Sequence, residues 1–182
     1  MRLRLPEKPR LAVPRQVLRA GKPERERKNM ALAIRFAEEK DLDILACLWI
    51  GLMEGRFAEL SNLKITPENV ERWKAFARSS VKHKLIKVAE LEGEIIGYVF
   101  MNIGMHPLET IYKCANILDL FISEKHRGKG YGTELMHDAM KYMKSIGYEM
   151  VALNVLAVNT GAVKLYEREG FEKVFYTMKR PL

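Results

Sequence analysis

The chain has 182 residues, 48% of them apolar, and a formal net charge of +8 at pH 7. This length suits one domain with a substantial core and leaves no room for a second enzyme domain. The charge is concentrated at the start, because residues 1–29 hold ten Lys or Arg and three Glu, a net +7, and leave +1 for residues 30–182. A folded part so close to neutral argues against nucleic acid as its partner.

The first 29 residues differ in composition from the rest. They contain four prolines among scattered arginines and few large apolar residues that could build a core. We interpret residues 1–29 as a disordered basic extension and residues 30–182 as the folded domain, with Met30 favoured as the true start. An Arg-rich transit peptide is the weaker alternative, since Glu24, Glu26 and the prolines oppose a clean amphipathic helix.

The cysteines and the hydropathy pattern bear on the cellular environment. Cys47 and Cys114 are 67 positions apart with no paired His or Cys nearby, so neither a disulfide framework nor a zinc site is predicted. We expect both to be buried thiols in a reducing compartment. No run approaches the roughly 20 apolar residues that span a bilayer, and no signal-peptide core follows the first charges. The sequence therefore predicts a soluble cytoplasmic protein without a metal or a membrane partner.

The domain begins with a strand and a helix. Leu32, Ile34 and Phe36 alternate as a strand requires. Asp41 is the expected N-cap of a helix that Gly55 would end. Its apolar residues recur at helical spacing and predict one stripe facing a sheet, formed by Leu45, Leu48, Trp49, Leu52 and Met53.

A second helix and a hairpin follow. Thr66 is the expected N-cap of that helix and Pro67 its first residue, with an end near Ser80. Residues 86–91 and 94–103 are β-rich runs separated by two turn residues, which predicts an antiparallel hairpin. The buried stripe of the helix is expected at Val70, Trp73 and Ala77.

A glycine-rich segment, Arg-Gly-Lys-Gly-Tyr-Gly at residues 127–132, lies between a predicted strand at 114–122 and a helix. In such a turn several backbone N–H groups can point at one anion, and the helix N-terminus adds partial positive charge. The segment therefore predicts a phosphate site. The helix is indicated by apolar residues on one face, at Leu135, Met136, Ala139, Met140 and Met143.

The residue types within this segment narrow the kind of site. Gly130 and Gly132 lack the Cβ that would hold a phosphate oxygen away from the amides, while Arg127 and Lys129 supply charge-assisted hydrogen bonds. A Walker loop requires Ser or Thr after Gly-Lys, which is absent. A dinucleotide fingerprint requires G-x-G-x-x-G, whereas these glycines alternate strictly with other residues.

The spacing R-x-x-G-x-G resembles the coenzyme A pyrophosphate loop of the GNAT family of N-acetyltransferases. A second match follows a predicted strand at 153–155, where residues 159–171 fit the family pattern N-x-x-A-x-x-L-Y-x-x-x-G-F. The resemblance covers about residues 116–178. Two motifs in the right order are more specific than either alone.

The resemblance implies roles for individual residues of the loop. Backbone amides of residues 125–133 would hold the pyrophosphate. Ile122, five residues before Arg127, would bind the pantetheine arm through its main chain, and its N–H would polarise the thioester carbonyl. The residues of the loop that match the family are Arg127, Gly128, Lys129, Gly130, Gly132 and Thr133.

Two residues of the second motif receive roles in the same way. Tyr166 matches the tyrosine that often protonates the departing thiolate, which suits a neutral phenol beside sulfur. The alternative is a core tyrosine beside Leu165. Asn159 matches a cofactor-side asparagine, and it is also suited to be the N-cap of the last helix.

The sequence does not identify the general base that an amine acceptor requires. Some family members place a Glu where this chain has Asn154, and others where it has Asn116, so neither carboxylate is present. Asp119, Glu109, His106 or a chain of waters could serve, and the sequence does not rank them.

The resemblance implies a single α/β (α+β) domain with a mixed, mainly antiparallel sheet of six or seven strands and about four helices. The cofactor helix would follow the fourth strand. The implied reaction is direct acetyl transfer from acetyl-coenzyme A to an unidentified primary amine, on a small molecule or a protein. Alternatives are a coenzyme A-binding regulator without catalysis and an RNA- or ribosome-associated protein using the basic tail. Oligomeric state stays open, with a homodimer as one option.

Overall fold

The computed structural model describes residues 32–54, 64–104 and 113–180. Several sequence-based predictions concern positions outside these ranges. They are the extension at 1–29 with its start at Met30, the helix end at Gly55, and the candidate bases His106 and Glu109.

Five strands and four helices make up the described part of the chain. The strands are β1 Ala33–Phe36, β2 Ile86–Leu91, β3 Glu94–Asn102, β4 Cys114–Ile122 and β5 Met150–Leu153. The helices are α1 Leu42–Met53, α2 Pro67–Lys82, α3 Tyr131–Ser145 and α4 Thr160–Arg168. Short 3-10 turns at Glu39–Asp41 and Glu124–His126 precede α1 and the glycine-rich loop.

The strands form one sheet in the order β1-β2-β3-β4-β5, in which only the β4–β5 pair is parallel. The predicted mixed α/β domain is confirmed, and α3 follows the fourth strand as expected. The prediction of six or seven strands is wrong for the described residues. After α4, residues 171–180 carry no regular structure, and the exposed fraction of Phe175 is 90%.

The first two helices begin in different ways. The Thr66 side chain accepts a hydrogen bond from the Asn69 amide at 3.2 Å, which confirms the predicted N-cap of α2. Asp41 occupies the N-cap position of α1 as predicted, but its side chain makes no cap hydrogen bond to that helix. Its carboxylate instead accepts from the Arg35 guanidinium at 2.7 Å and from the Glu38 amide at 2.8 Å. Ionic pairing with β1 has therefore taken the place of the local cap.

The apolar residues form two clusters, one on each face of the sheet. The α1–α2 cluster contains the buried stripe of α1 together with Ala77, Tyr98, Phe100 and Phe121. The α3 cluster contains the buried face of α3 together with Val99, Ile117 and Ile122, and Tyr166 packs against it. Neighbouring residues of β3 and β4 thus pack against helices on opposite faces of the sheet, as the two-residue period of a strand requires.

The prediction that both cysteines are buried is wrong. Cys47 and Cys114 are free thiols, and both are exposed. Cys47 lies on the outer side of α1, since the stripe through Leu45, Leu48 and Trp49 turns the intervening position toward solvent. Cys114 is the first residue of β4.

Candidate active site

The end of β4 presents a backbone group that β3 does not use. The Ser123 amide donates to the Ile96 carbonyl at 2.8 Å. Bonded and non-bonded pairs alternate along an antiparallel ladder, so the adjacent pair of Gly97 and Ile122 is non-bonded, and the Ile122 N–H points away from β3. On that side β5 pairs with β4 only as far as Ile117. The Ile122 N–H therefore faces the gap where the two parallel strands have separated.

Gly97 allows β3 to approach β4 closely at this point. A Cβ added at Gly97 would lie 2.4 Å from both the Phe121 carbonyl oxygen and the Ile122 Cδ1 atom. Any larger residue would push the end of β4 away from β3. The position of the Ile122 amide thus depends on a glycine 25 positions earlier in the chain.

The glycine-rich loop holds a run of unused backbone donors. Among the hydrogen bonds of the described residues, none is donated by the six consecutive amides of residues 128–133. Gly128 and Gly130 have φ of 75° and 88°, which residues with a Cβ adopt only with strain. These turns lead into the first turn of α3, whose leading N–H groups have no helical acceptor. Six amides and a helix N-terminus form a concentrated anion site.

The basic residues around the loop differ in whether their charged groups already have a bonding partner. Arg127 donates through Nε to the Ile122 carbonyl at 2.9 Å, and its guanidinium lies 5.3 Å from the Phe121 ring centroid. Lys125 bonds Glu94 at 2.6 Å. Lys129 is exposed and makes no ion pair with any described residue. Arg127 thus ties the loop to β4, while Lys129 keeps its charge available to an anion.

A buried ion pair fixes the helix that follows the loop. Lys87 of β2 is almost fully buried and bonds Asp138 of α3. Its ammonium also lies 4.5 Å from the Phe36 ring centroid and 5.4 Å from that of Tyr142. Because removing one partner would leave a buried charge, this contact strongly specifies how α3 sits on the sheet.

Tyr166 is half-buried on α4, where it packs against the α3 cluster that also contains Ile122. Its ring meets Phe171 edge to face at 5.7 Å between centroids. Within the described residues its hydroxyl makes no hydrogen bond. Burial raises the pKa of Tyr166 above its ordinary value, so the phenol keeps its proton at neutral pH. Tyr166 thus packs against the core and carries a protonated hydroxyl without a hydrogen-bond partner among the described residues.

Asn159 caps α4. Its side-chain oxygen accepts a hydrogen bond from the Ala162 amide at 3.2 Å, so the capping interpretation is confirmed. The preceding strand ends earlier than predicted. It runs from Met150 to Leu153 instead of 153–155. Its pairing with β4 begins at Met150, whose amide donates to the Lys113 carbonyl.

Asp119 contacts a residue that the sequence analysis did not single out. The Tyr98 hydroxyl donates to the Asp119 carboxylate at 3.1 Å. Burial raises the pKa of Asp119 to about 6, against a smaller opposing effect of the Tyr98 hydrogen bond. Asn116 lies on the same strand, and Asn154 lies just beyond β5. Tyr98 reads in the sequence as a core residue of β3, so no local pattern identifies this pair.

Two general properties of the described residues bear on cofactors and membranes. No group of three His, Cys, Asp or Glu side chains within 32–54, 64–104 and 113–180 is placed to share a metal ion. None of the helices in these ranges has the length and apolarity that crossing a membrane requires.

Known proteins resemble this chain in sequence and in fold. An N-alpha-acetyltransferase of Sulfurisphaera tokodaii is 34% identical over 93 residues, covering 48% of this chain and 56% of that protein. This chain thus spans little more than half of that relative. A putative phosphinothricin acetyltransferase of Bacillus subtilis is 23% identical over 146 residues, covering 77% of this chain and 83% of that protein.

A solved structure supports the fold. The PaiA N-acetyltransferase of Thermoplasma acidophilum, determined in complex with coenzyme A, superposes with a TM-score of 0.59 at 21% identity, covering 79% of this chain and 91% of that protein. A family model described as acetyltransferase (GNAT) family matches residues 49–171. That match includes β4, the glycine-rich loop, α3 and α4. The chain belongs to the acetyltransferase (GNAT) family.

Proposed function

We propose that this protein is an N-acetyltransferase that moves the acetyl group of acetyl-coenzyme A to a primary amine by direct attack, without a covalent enzyme intermediate. The observation that carries the proposal is the run of six unused amides at residues 128–133, one turn beyond an Ile122 N–H that points into the gap between β4 and β5. A diphosphate and a carbonyl oxygen are the acceptors that these two sets of donors suit.

Acetyl-coenzyme A supplies, when bound, a thioester whose carbonyl carbon an amine can attack and whose sulfur can leave. In this proposal the loop amides and Lys129 hold the diphosphate. The Ile122 N–H donates to the thioester oxygen, a contribution commonly worth about 3–4 kcal/mol. The Tyr166 hydroxyl gives its proton to the departing sulfur. Asn159 acts by capping α4 and so positions the helix that carries Tyr166.

The acceptor class is the least specified part of the proposal. One relative is named an N-alpha-acetyltransferase and another a putative phosphinothricin acetyltransferase. A screen should therefore include a peptide with a free α-amino group, a lysine derivative, a polyamine, an amino acid and phosphinothricin. Thiol release from acetyl-coenzyme A above the rate without amine supports the proposal.

The rival functions make different predictions. A coenzyme A-binding regulator would bind acetyl-coenzyme A in calorimetry but release no thiol with any amine. An RNA- or ribosome-associated protein would use residues 1–29, which lie outside the described residues, and would bind RNA with strong salt dependence. We also propose a cytoplasmic location. Absence of acetyl-coenzyme A binding by the full chain would contradict the enzyme and the regulator alike.

A further inference from the structure

Asp119 is the single carboxylate of β4 and lies on the face of the sheet opposite to α3. It stands opposite Phe100 of β3, and the register shifts just before it so that Leu118 has no partner. Beyond this bulge, Asp119 and Phe121 lie on the α1–α2 side, while Leu120 and Ile122 lie on the α3 side. A charged group on that inner surface requires a reason beyond packing.

The Asp119–Tyr98 pair is rigid on one side and open on the other. Tyr98 is completely buried, with ring centroids 6.3 Å from Trp73 and 6.5 Å from Phe121, so its hydroxyl is fixed. That hydroxyl donates to Oδ2 of Asp119. Oδ1 makes no hydrogen bond within the described residues, and Asp119 as a whole is half-buried. One carboxylate oxygen is therefore held in place while the other is available to an incoming N–H group.

The position of Asp119 along β4 places it near the proposed reaction centre. β5 ends opposite Ile117, so Asp119 is the second residue of the stretch of β4 that lacks a parallel neighbour. Ile122 follows three residues later, about 10 Å along the strand at roughly 3.3 Å per residue. The proposed proton path therefore runs through a bridging water between the Asp119 carboxylate and the acceptor nitrogen. Tyr166 packs on the opposite face, so the two proton-transferring groups would reach the gap from different layers.

We propose that Asp119, oriented by Tyr98, takes the proton from the acceptor ammonium group before the nitrogen attacks the thioester. The inference rests on the proposed acetyl transfer and names the base that it requires. The nitrogen lone pair freed by Asp119 forms the C–N bond, the C–S bond breaks, and the sulfur receives the Tyr166 proton. The nitrogen then loses a second proton, which restores the tyrosine. One ammonium and one thioester give one amide, one thiol and one proton released to solvent.

The titration of Asp119 fits this role. Burial raises its pKa to about 6, and Tyr98 is the one further group that acts on it among the charged and titratable groups of the described chain. The carboxylate is thus ionised above about pH 6 and is a stronger base than an ordinary Asp. The activity should fall on the acid side with an apparent pKa near 6. Tyr98→Phe removes an interaction that lowers the pKa, so that limb should move to higher pH.

The test compares Asp119→Asn with Asp43→Asn, since Asp43 is an exposed carboxylate of α1 outside the site. The probes are N-acetyl-lysine methylamide, whose ammonium has a pKa near ~10.4, and hydroxylamine, which is mostly neutral at pH 8. We expect Asp119→Asn to lower kcat/KM with the lysine probe by about 10²–10⁴-fold and to lose the acid limb. Hydroxylamine should be acetylated nearly as fast as by the parent. Equal losses with both probes, or none, would overturn the assignment.

A second measurement does not require turnover. With carbon-13-labelled aspartate and the enzyme saturated with coenzyme A, adding the lysine probe should shift the carboxyl resonance of Asp119 and leave that of Asp43 unchanged. An unmoved Asp119 resonance at saturating probe would overturn the inference. If the parent binds no coenzyme A in calorimetry, the proposed function itself has failed, whereas binding with an inert Asp119 refutes the base alone.

The stability of the same variants separates a catalytic from a structural role. The pKa of Asp119 is raised in the folded state, so its ionisation destabilises the fold progressively as pH rises from about 4 through about 6. Asp119→Asn removes that charge and can still accept from Tyr98. The melting temperature of Asp119→Asn should therefore equal or exceed that of the parent at pH 8 and lose this advantage at pH 4. A lower melting temperature at pH 8 would indicate a structural carboxylate.

Discussion

The two faces of β4 are built for different partners. On the α3 side the site consists of backbone amides at residues 128–133, with the Ile122 amide at the strand end. On the α1–α2 side it consists of two side chains, Tyr98 and Asp119, that meet across the β3–β4 pair. The first arrangement suits an anion that every reaction cycle shares. The second suits the amine of an acceptor molecule, and that molecule can vary.

This difference explains why the loop can be predicted from the sequence and the contact between the two side chains cannot. Free amides require a particular backbone path, and glycines at Gly128 and Gly130 with positive φ produce that path within a few residues. A contact between side chains 21 positions apart leaves no local trace. Changes to the loop amides should therefore affect cofactor binding, and changes to Tyr98 or Asp119 should affect the acceptor step.

The largest expected effect is on the chemical step. Tyr166→Phe keeps the ring against the α3 cluster and removes the hydroxyl, which bonds to nothing among the described residues. If Tyr166 protonates the sulfur, single-turnover acetyl transfer should fall by about 10²–10⁴-fold while acetyl-coenzyme A affinity changes little. Single-turnover rates are required because product release can mask the chemistry. An unchanged rate in a folded variant would leave Tyr166 with its core role alone.

The next effect is on cofactor affinity. Gly130→Glu introduces a carboxylate where the loop amides converge, so the dissociation constant for acetyl-coenzyme A should rise by at least about 100-fold in calorimetry. Gly147→Glu is the matched control, because Gly147 also has positive φ, at 91°, and lies at the other end of α3. Both variants carry a similar backbone strain of about 1–2 kcal/mol. Equal affinities in the two variants would show that the loop does not hold the diphosphate.

A smaller effect is expected where the two strands approach closely. Gly97→Ala places a Cβ against the Phe121 carbonyl and Ile122, which should cost about 1–3 kcal/mol of unfolding free energy. A drop of about 2–4 °C in melting temperature per kcal/mol is expected. Gly104→Ala is the control, since its nearest neighbour would lie at 3.4 Å. A Gly97→Ala protein as stable as this control would contradict the close packing at the end of β4.

The smallest effect concerns the extension. The motifs lie beyond residue 115, so a chain starting at Met30 should keep its turnover with any acceptor from the screen, within about twofold. Loss of activity in a folded truncated protein would mean that residues 1–29 complete the site. RNA binding by the full chain alone would assign them a separate role.

Much of the fold follows from local pattern. The hairpin of β2 and β3, the strand β4 and the Thr66 cap were predicted with bounds that the structure confirms to within a few residues. These elements depend on alternation, turn residues and a cap, all of which are short-range. The Glu92–Gly93 turn takes positive φ at both positions, as a type I′ hairpin turn requires.

The exposure of Cys47 follows from the helical spacing of α1 and could have been predicted. The other failures come from contacts with residues that the local pattern does not include. Asp41 pairs with Arg35 of β1, and the Met150 amide donates to the Lys113 carbonyl where β5 begins. In the site, the loop could be predicted and the Tyr98–Asp119 pair could not, for the same reason.

The amides of the glycine-rich loop are proposed to receive the coenzyme A diphosphate. Titration of nitrogen-15-labelled protein with coenzyme A tests it residue by residue. We predict that the amide resonances of residues 128–133 shift to lower field and exchange more slowly with solvent, while those of α2 stay in place. Unchanged loop amides at saturating coenzyme A, or shifts confined to another part of the chain, would contradict the account.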